Sequence, residues 1–381
     1  MKPTFAMNKH LHFAALLGAA LLAWIPAGNA PAQTIPSLGM QPYTGISVTG
    51  VVGRVYQVQY ATVMSPTATW YALQHFELKW NPHRFVDNTT PATGQRYYRV
   101  VEVDVPTNIT PVANMLFVPP GTFTMGSPPD EPGRWFDEGP QTTVTISHPF
   151  WMGKFEVTQG EFVSIMNTNT SYQRNGGFWY LQFGGVGGPV TNEVLHPIDA
   201  CTWFEATNYC HTLTMQERAA GRIPPGWAYR LPWEAEWEYA CRAGTTTAFH
   251  YGPALRSGMA NFRGTEEQPP CGEEEDCINP LGIFLGRSCE VGRYEPNNWG
   301  FYDMHANLFE WCLDYWSPSL PGGSVIDPKG TVPSTGRLIR SGRWYSSARR
   351  ARSATRLGYG TPETLRSDDV GFRVILTPVD P

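Results

Sequence analysis

The groups in this 381-residue chain best equipped for chemistry are arginines, cysteines and a few carboxylates, set among many aromatics. The stretch RLIRSGRWYSSARRARSATR, from Arg337 to Arg356, carries seven arginines and no acid. A guanidinium offers five donors in a fixed plane, which suits phosphates, carboxylates or a set of loop carbonyls. The stretch could therefore grip a polyanion, line a site, or staple a fold from within. Net charge argues against the first reading. The chain carries −5 at a pI near 6.0, whereas a dedicated nucleic-acid binder has a basic balance. No nucleic-acid partner is expected.

The seven cysteines are Cys201, Cys210, Cys241, Cys271, Cys277, Cys289 and Cys312. None forms a CxxC pair, so a zinc ribbon or a thioredoxin-type centre is not expected. An odd number leaves at least one thiol free or intermolecular, while an oxidising compartment would pair some of the others. The run around EEED at Glu273 to Asp276 reads as a solvated loop.

Stepping outward to the elements that must hold these groups, the N-terminus has the form of an export leader over residues 1–32. Lys2 and Lys9 precede the apolar run LHFAALLGAALLAWIPA, and small residues before Ala30 and Ala32 allow cleavage. The run is short for a span of about 20 residues. The mature protein is then expected outside the cytoplasm, in a periplasm or beyond, with no membrane span.

Residues from about 45 to 105 alternate with period two, within a module expected over 33–105. Tyr56, Val58 and Tyr60 are separated by glutamines, and Val101, Val103 and Val105 by acids. This predicts a small antiparallel β module with half-buried strands. A linker is expected over 106–111, where PTNITP offers turn residues.

From about residue 112 the texture changes. Thr158 with Glu161, and Thr202 with Glu205, are capping boxes that open helices, the first with a Val157–Phe162 staple. RLPWEAEWEYACRAG predicts a third helix with Pro232 in its first turn, Trp237, Ala240 and Cys241 on one face, and Gly244 at its end. High Gly (38) and Pro (34) content predicts loops around short strands elsewhere, an α+β class with little regular secondary structure.

The segments FVPPGTFTMGS, FWMGKFEVTQGEF, HPIDACTWFEATNYC, YRLPWEAEWEYACRAG, NNWGFYDMHANLFEWCLDYW, the arginine stretch and DDVGFRVIL, taken in that order, resemble the formylglycine-generating enzyme, or sulfatase-modifying factor, family over residues 112–377. The resemblance implies a C-type-lectin-like α+β fold. It also implies an oxidase that converts a sulfatase cysteine, within Cys-x-Pro-x-Arg, to formylglycine, using copper(I) held by two cysteines after a Gly-Gly-Ser-aromatic turn. Copper(I) is soft and prefers thiolates. Here that turn reads Ser341, Gly342, Arg343, Trp344, and Ser346 stands where the first cysteine belongs. The following segment is shorter than in catalytic members, so the second cysteine has no counterpart. Copper is therefore not expected, and the catalytic residues are unknown. The family partners of Cys210 and Cys241 are here Val374 and Ser353, so those disulfides are not expected.

The resemblance also implies calcium, bound by side-chain oxygens of Asp303 and Glu310 and by the carbonyls of Ala306 and Leu308, since calcium takes six to eight hard oxygens. The competing reading is a buried Asp and Glu that serve arginines. A second site would begin at Asn261 and Phe262, with Asp276 as a substitute acid. Some relatives use a three-His iron site, but His148, His196, His211, His250 and His305 are scattered with no such pattern. Arg340, Arg352, Arg356 and Arg373 are expected to satisfy loop carbonyls and buried acids such as Glu234, Glu236 and Glu238. Arg343, Trp344, Ser346 and Arg349 fall where the family's cleft lies, with Arg350 beside them. Two functions stay open: a calcium-stabilised binding or accessory module without the copper dithiol, whose ligand is a protein, a carbohydrate or a sulfatase, or an active formylglycine-generating oxidase with displaced thiols.

Overall fold

The computed structural model describes residues 44–89, 95–172, 192–263, 284–358 and 360–379. The export leader, Cys271, Cys277 and Asp276 lie outside these residues. The N-terminal module contains β1 (Thr44–Val48), β2 (Val55–Ala61), β3 (Tyr71–Glu77), β4 (His83–Asp87) and β5 (Tyr97–Val103). β1 and β4 pair as a two-stranded antiparallel layer. β2 lies between β3 and β5, antiparallel to both.

β2 is not half-buried as its alternation suggested: every position from Tyr56 to Ala61 is buried. Val58 and Tyr60 pack with Val48 and Leu73, supported by Ile46 and Phe85. On the other side Gln57 donates to the Pro120 carbonyl at 3.1 Å, beyond the module. Polar residues at strand period can thus mark a buried face whose hydrogen bonds are satisfied.

Ten further strands follow: β6 (Met115–Val118), β7 (Gly121–Met125), β8 (Thr142–Ile146), β9 (Phe150–Gly153), β10 (Trp227–Arg230), β11 (Phe309–Tyr315), β12 (Gly323–Ile326), β13 (Arg337–Arg340), β14 (Val370–Gly371) and β15 (Ile375–Pro378). Three helices join them: α1 (Gln159–Met166), α2 (Trp203–Ala219) and α3 (Glu234–Arg242). One sheet runs β10-β15-β9-β6, another β13-β11-β14, and a six-stranded sheet runs β12-β8-β7-β3-β2-β5.

The six-stranded sheet crosses the boundary read from the sequence. β3 meets β7 in parallel at Tyr71 and Thr122. Trp299 Nε1 donates to the Leu73 carbonyl at 3.3 Å, and Gln74 Nε2 to the Asn298 carbonyl at 2.8 Å. Gly244, at φ +87°, leaves 2.1 Å between an added Cβ and the Leu73 oxygen, so no larger residue fits. The segment read as a linker is also packed: Ile109 is buried, and the Thr110 amide donates to the Arg222 carbonyl at 2.8 Å.

Both capping boxes form, at Thr158 and Thr202. In α3 the cap is Trp233, so Pro232 precedes the helix instead of lying in its first turn. Every residue of α3 is buried, including Glu234, Glu236, Glu238 and Arg242. A helix buried on all sides must pair its charges internally, and this one does.

Candidate functional site

The arginine stretch supplies internal staples. Arg340 donates to the carbonyls of Ser353, Ala354 and Thr355, to Glu238 at 2.6 Å and to Glu234 at 3.3 Å. Arg352 forks onto Glu138, donates to Glu131 at 2.7 Å and reaches the Gly133 carbonyl. Arg356 forks onto Glu234 and donates to the carbonyls of Asp137 and Ser317. Arg373 forks onto Glu310 and donates to the carbonyls of Gly153 and Tyr302. All four are buried. Of the acids named from sequence, Glu234 and Glu238 serve this stretch, whereas Glu236 pairs with Arg230 at 2.7 Å.

The cleft residues divide. Trp344 is fully buried. Its amide donates to the Asn307 carbonyl, and the ring stacks on Phe284. Ser346 is also buried, and its hydroxyl has no hydrogen-bond partner among the described residues. Arg343 is partly exposed. It lies 3.8 Å over the Tyr345 ring and donates to Asp369 at 2.6 Å, where the Tyr345 hydroxyl also donates, at 2.9 Å. Arg349 donates to the Gly133 carbonyl and lies 3.7 Å over Trp135. Asp369, Tyr345 and Trp135 were not found from the sequence. Asp369 lay unmarked in DDVGF.

Beneath this region lies an acidic centre. Asp303, Ala306 and Asn307 all have positive φ (57°, 76° and 71°), a conformation costly for residues other than glycine. Asp303 accepts from the Gly292 amide at 2.7 Å, and the Ala306 carbonyl accepts from Ser341 Oγ at 3.1 Å. Leu308 follows directly, its amide donating to Glu156 at 3.0 Å. Glu310 is committed: Arg373 Nε and Nη2 each donate at 2.6 Å, and Trp237 Nε1 at 2.7 Å.

Glu156, an acid the sequence reading missed, is buried beside them and takes Asn307 Nδ2 at 2.7 Å. Burial, then the charges of Asp303 and Glu310, push its carboxyl well up. Burial lifts Asp303 to about 6. Arg373 is the cation that lowers both. The acids here outnumber it, and a hard divalent cation would relieve that excess. Of the expected calcium ligands Glu310 is the least available, because it already holds an arginine, and among the described residues no group of three or more acids, histidines or cysteines is placed to hold a metal ion. At the second position, Asn261 Nδ2 donates to the Arg287 carbonyl and to Asn307 Oδ1, and Phe262 is core.

The described thiols are Cys201, Cys210, Cys241, Cys289 and Cys312. All are buried, and none is paired with another described cysteine. Burial raises every one of these thiols, that of Cys241 to about 12. Cys241 Sγ donates to the Met304 carbonyl at 3.7 Å, the buried Ser353 hydroxyl has no hydrogen-bond partner among the described residues, and Val374 shares a core cluster with Cys210. Among the described residues, no helix is long and apolar enough to cross a membrane.

A family model for the sulfatase-modifying factor enzyme 1-like domain matches residues 101–378, beginning inside β5. The chain is 28% identical over 339 residues to the formylglycine-generating enzyme of Bos taurus, covering 77% of this chain and 83% of that protein. It is 27% identical over 301 residues to the inactive C-alpha-formylglycine-generating enzyme 2 of Mus musculus, covering 68% and 84%. Among solved structures, PvdO from Pseudomonas aeruginosa aligns with a TM-score of 0.51 at 26% identity, covering 70% of this chain and 94% of its own. The mixed sheets and three helices are those of this α+β fold.

Proposed function

This chain belongs to the sulfatase-modifying factor family, and from that premise we propose that it acts there as an exported, calcium-stabilised binding or accessory module, not as a copper oxidase. The observation that carries the reading is Ser346. A buried hydroxyl stands at the position of the first copper thiolate, and hydroxyl oxygen is a poor donor to a cuprous ion. Burial raises the Cys289 and Cys312 thiols, which disfavours the thiolate that a cuprous ion needs.

In this reading the cleft binds without reacting. Arg343, stacked on Tyr345 and oriented by Asp369, offers its outer N–H groups to a ligand acid or hydroxyl. Arg349, braced on Trp135, gives a second cation. Asp303 and the carbonyls of Ala306 and Leu308 would hold calcium, which would neutralise the acids below the cleft and fix the loop. The partner is a protein or a carbohydrate, and a sulfatase is the first to test because the family acts on sulfatases.

The test is to incubate the protein with copper(I), oxygen and a Cys-x-Pro-x-Arg peptide. No aldehyde should form, and metal analysis should return calcium. Aldehyde formation would install the competing oxidase reading, with thiols recruited from elsewhere.

A further inference from the structure

We propose that Asp314 is a proton-operated latch, which fastens the loop 327–336 to the core as the surroundings become acidic. The loop joins β12 to β13 and so leads into the arginine stretch. Residues 331–335 are all exposed, and Val332 keeps 78% of its surface in solvent.

The middle of the loop is tied to the end of β11. Asp314 Oδ1 accepts the Gly330 amide, and the Gly330 carbonyl accepts the Tyr315 amide, each at 2.7 Å. A Cβ at position 330 would lie 2.8 Å from both Cβ and Oδ1 of Asp314, so glycine is what allows this approach. The other carboxylate oxygen faces inward. Asp314 Oδ2 accepts the amide of Glu234, the first residue of α3, at 2.6 Å. One buried carboxylate thus links an exposed loop to a helix that is buried along its whole length.

The surrounding charges favour a proton on this group. The cations are committed to other acids: Arg356 forks onto Glu234, and Arg340 reaches Glu234 at 3.3 Å and Glu238 at 2.6 Å. Asp314 itself is bonded to two neutral amides and faces the Glu234 carboxylate. Cys312 on its own strand, Asp137 beside Arg356, and Lys329, whose ammonium lies 5.9 Å from the Trp233 ring, complete the ionisable groups around it. A carboxylate buried beside another acid is driven towards its neutral form. Burial, then the Glu234 charge, lift Asp314 to about 7 against the pull of the two amides and Arg356. In an opened loop the hydrated carboxyl returns to about 4. Closing therefore takes up a proton between these values. The latch is firmest below about pH 4 and loosens as pH rises through 7.

Hydrogen exchange at the Gly330 amide, divided by its intrinsic rate at each pH, reads the latch in the intact protein. Its protection should rise by up to about tenfold per unit as pH falls from 7 to 5. It should stay below the protection of the β15 amides throughout, because the loop opens without the fold. Asp314→Asn keeps the shape, removes the charge and should flatten the profile. A flat profile in the parent, a slope that persists in Asp314→Asn, or protection equal to that of β15 would each overturn the proposal. If the variant does not fold, the carboxyl carbon resonance of Asp314 in the parent decides: a titration midpoint near 7 supports the latch, and one near 4 overturns it.

Discussion

Replacing Glu310 by Ala should cost about 5 kcal/mol of folding stability. Both Glu310 and Arg373 have fully exposure-free side chains (0%/0%), joined by two bonds of 2.6 Å. Removing one member of such a pair costs about 3–5 kcal/mol, because the survivor keeps its desolvation penalty without its partner. Trp237 Nε1, which donates to the same carboxylate at 2.7 Å, is orphaned as well, at about 1–3 kcal/mol. These losses overlap, so about 5 kcal/mol is the working figure, out of a typical total of about 5–15. At about 2–4 °C per kcal/mol for a domain of this order, scanning calorimetry should show a fall of at least ~10 °C. Glu310→Leu combined with Arg373→Met removes both charges and should recover most of that loss. A single variant that melts within ~2 °C of the parent, or a double variant no better than the single, would refute the pairing argument. Calcium then separates the two roles of this acid. If the calcium-induced rise in melting temperature survives in Glu310→Gln and is lost in Asp303→Asn, Glu310 belongs to Arg373 and the metal to Asp303. A rise unaltered in both variants would remove the metal from this loop.

Three further outcomes are expected. Ser353→Cys should close a disulfide with Cys241 on oxidation, seen as the loss of two hydrogens by mass. It should add ~4 kcal/mol for a loop on the order of 100 residues, and a thiol left unpaired would mean that position 353 lies out of disulfide reach of Cys241. His75, depressed to about 4 by burial and bonded to the Phe117 carbonyl at 2.9 Å, is neutral when folded. Its unfolded value is about 6.5, so its contribution is complete above that pH and drains away as pH falls towards 4, by up to about 3 kcal/mol. Denaturant titrations should show His75→Gln losing less stability than the parent across that window, and identical slopes would discount His75. Finally, Cys201, Cys210, Cys241, Cys289 and Cys312 should resist alkylation until denaturant is added, since all five are buried. Labelling of Cys289 or Cys312 in the native protein would reopen the search for a reactive thiol.

Where structure depends on neighbours in sequence, the chain could be read directly. Thr158 and Thr202 cap their helices through glutamates three positions on, an interaction contained within one turn. The buried arginines were legible too, because so many cations in a chain with little helix imply carbonyls to serve. What stayed hidden depends on residues far apart. Glu156 sits in FEVT with nothing to distinguish it from a surface acid until its contacts at Asn307 and Leu308 are known. Asp369 becomes meaningful only beside Arg343, and Trp135 only beneath Arg349. Trp344 looked like a cleft residue because a turn next to a site is easily taken for its wall. Its ring is closed off between Phe284 and the Asp368 carbonyl. The junction between β3 and β7 has no local signature, since parallel neighbours pair without a hairpin to announce them.

That junction bears on how the polypeptide can be cut. Family similarity invites a truncation near residue 112, yet a fragment starting there would lose β3, the contacts of Leu73 and Gln74 with the Trp299 segment, and the ring that covers the Phe117 carbonyl. The resulting raw flank on β7 would seek strands from other molecules, so insolubility of such a fragment would reflect where the scissors fell. Expression and fusion designs should keep β2, β3 and β5 together with β7 and β8, whose sheet they share.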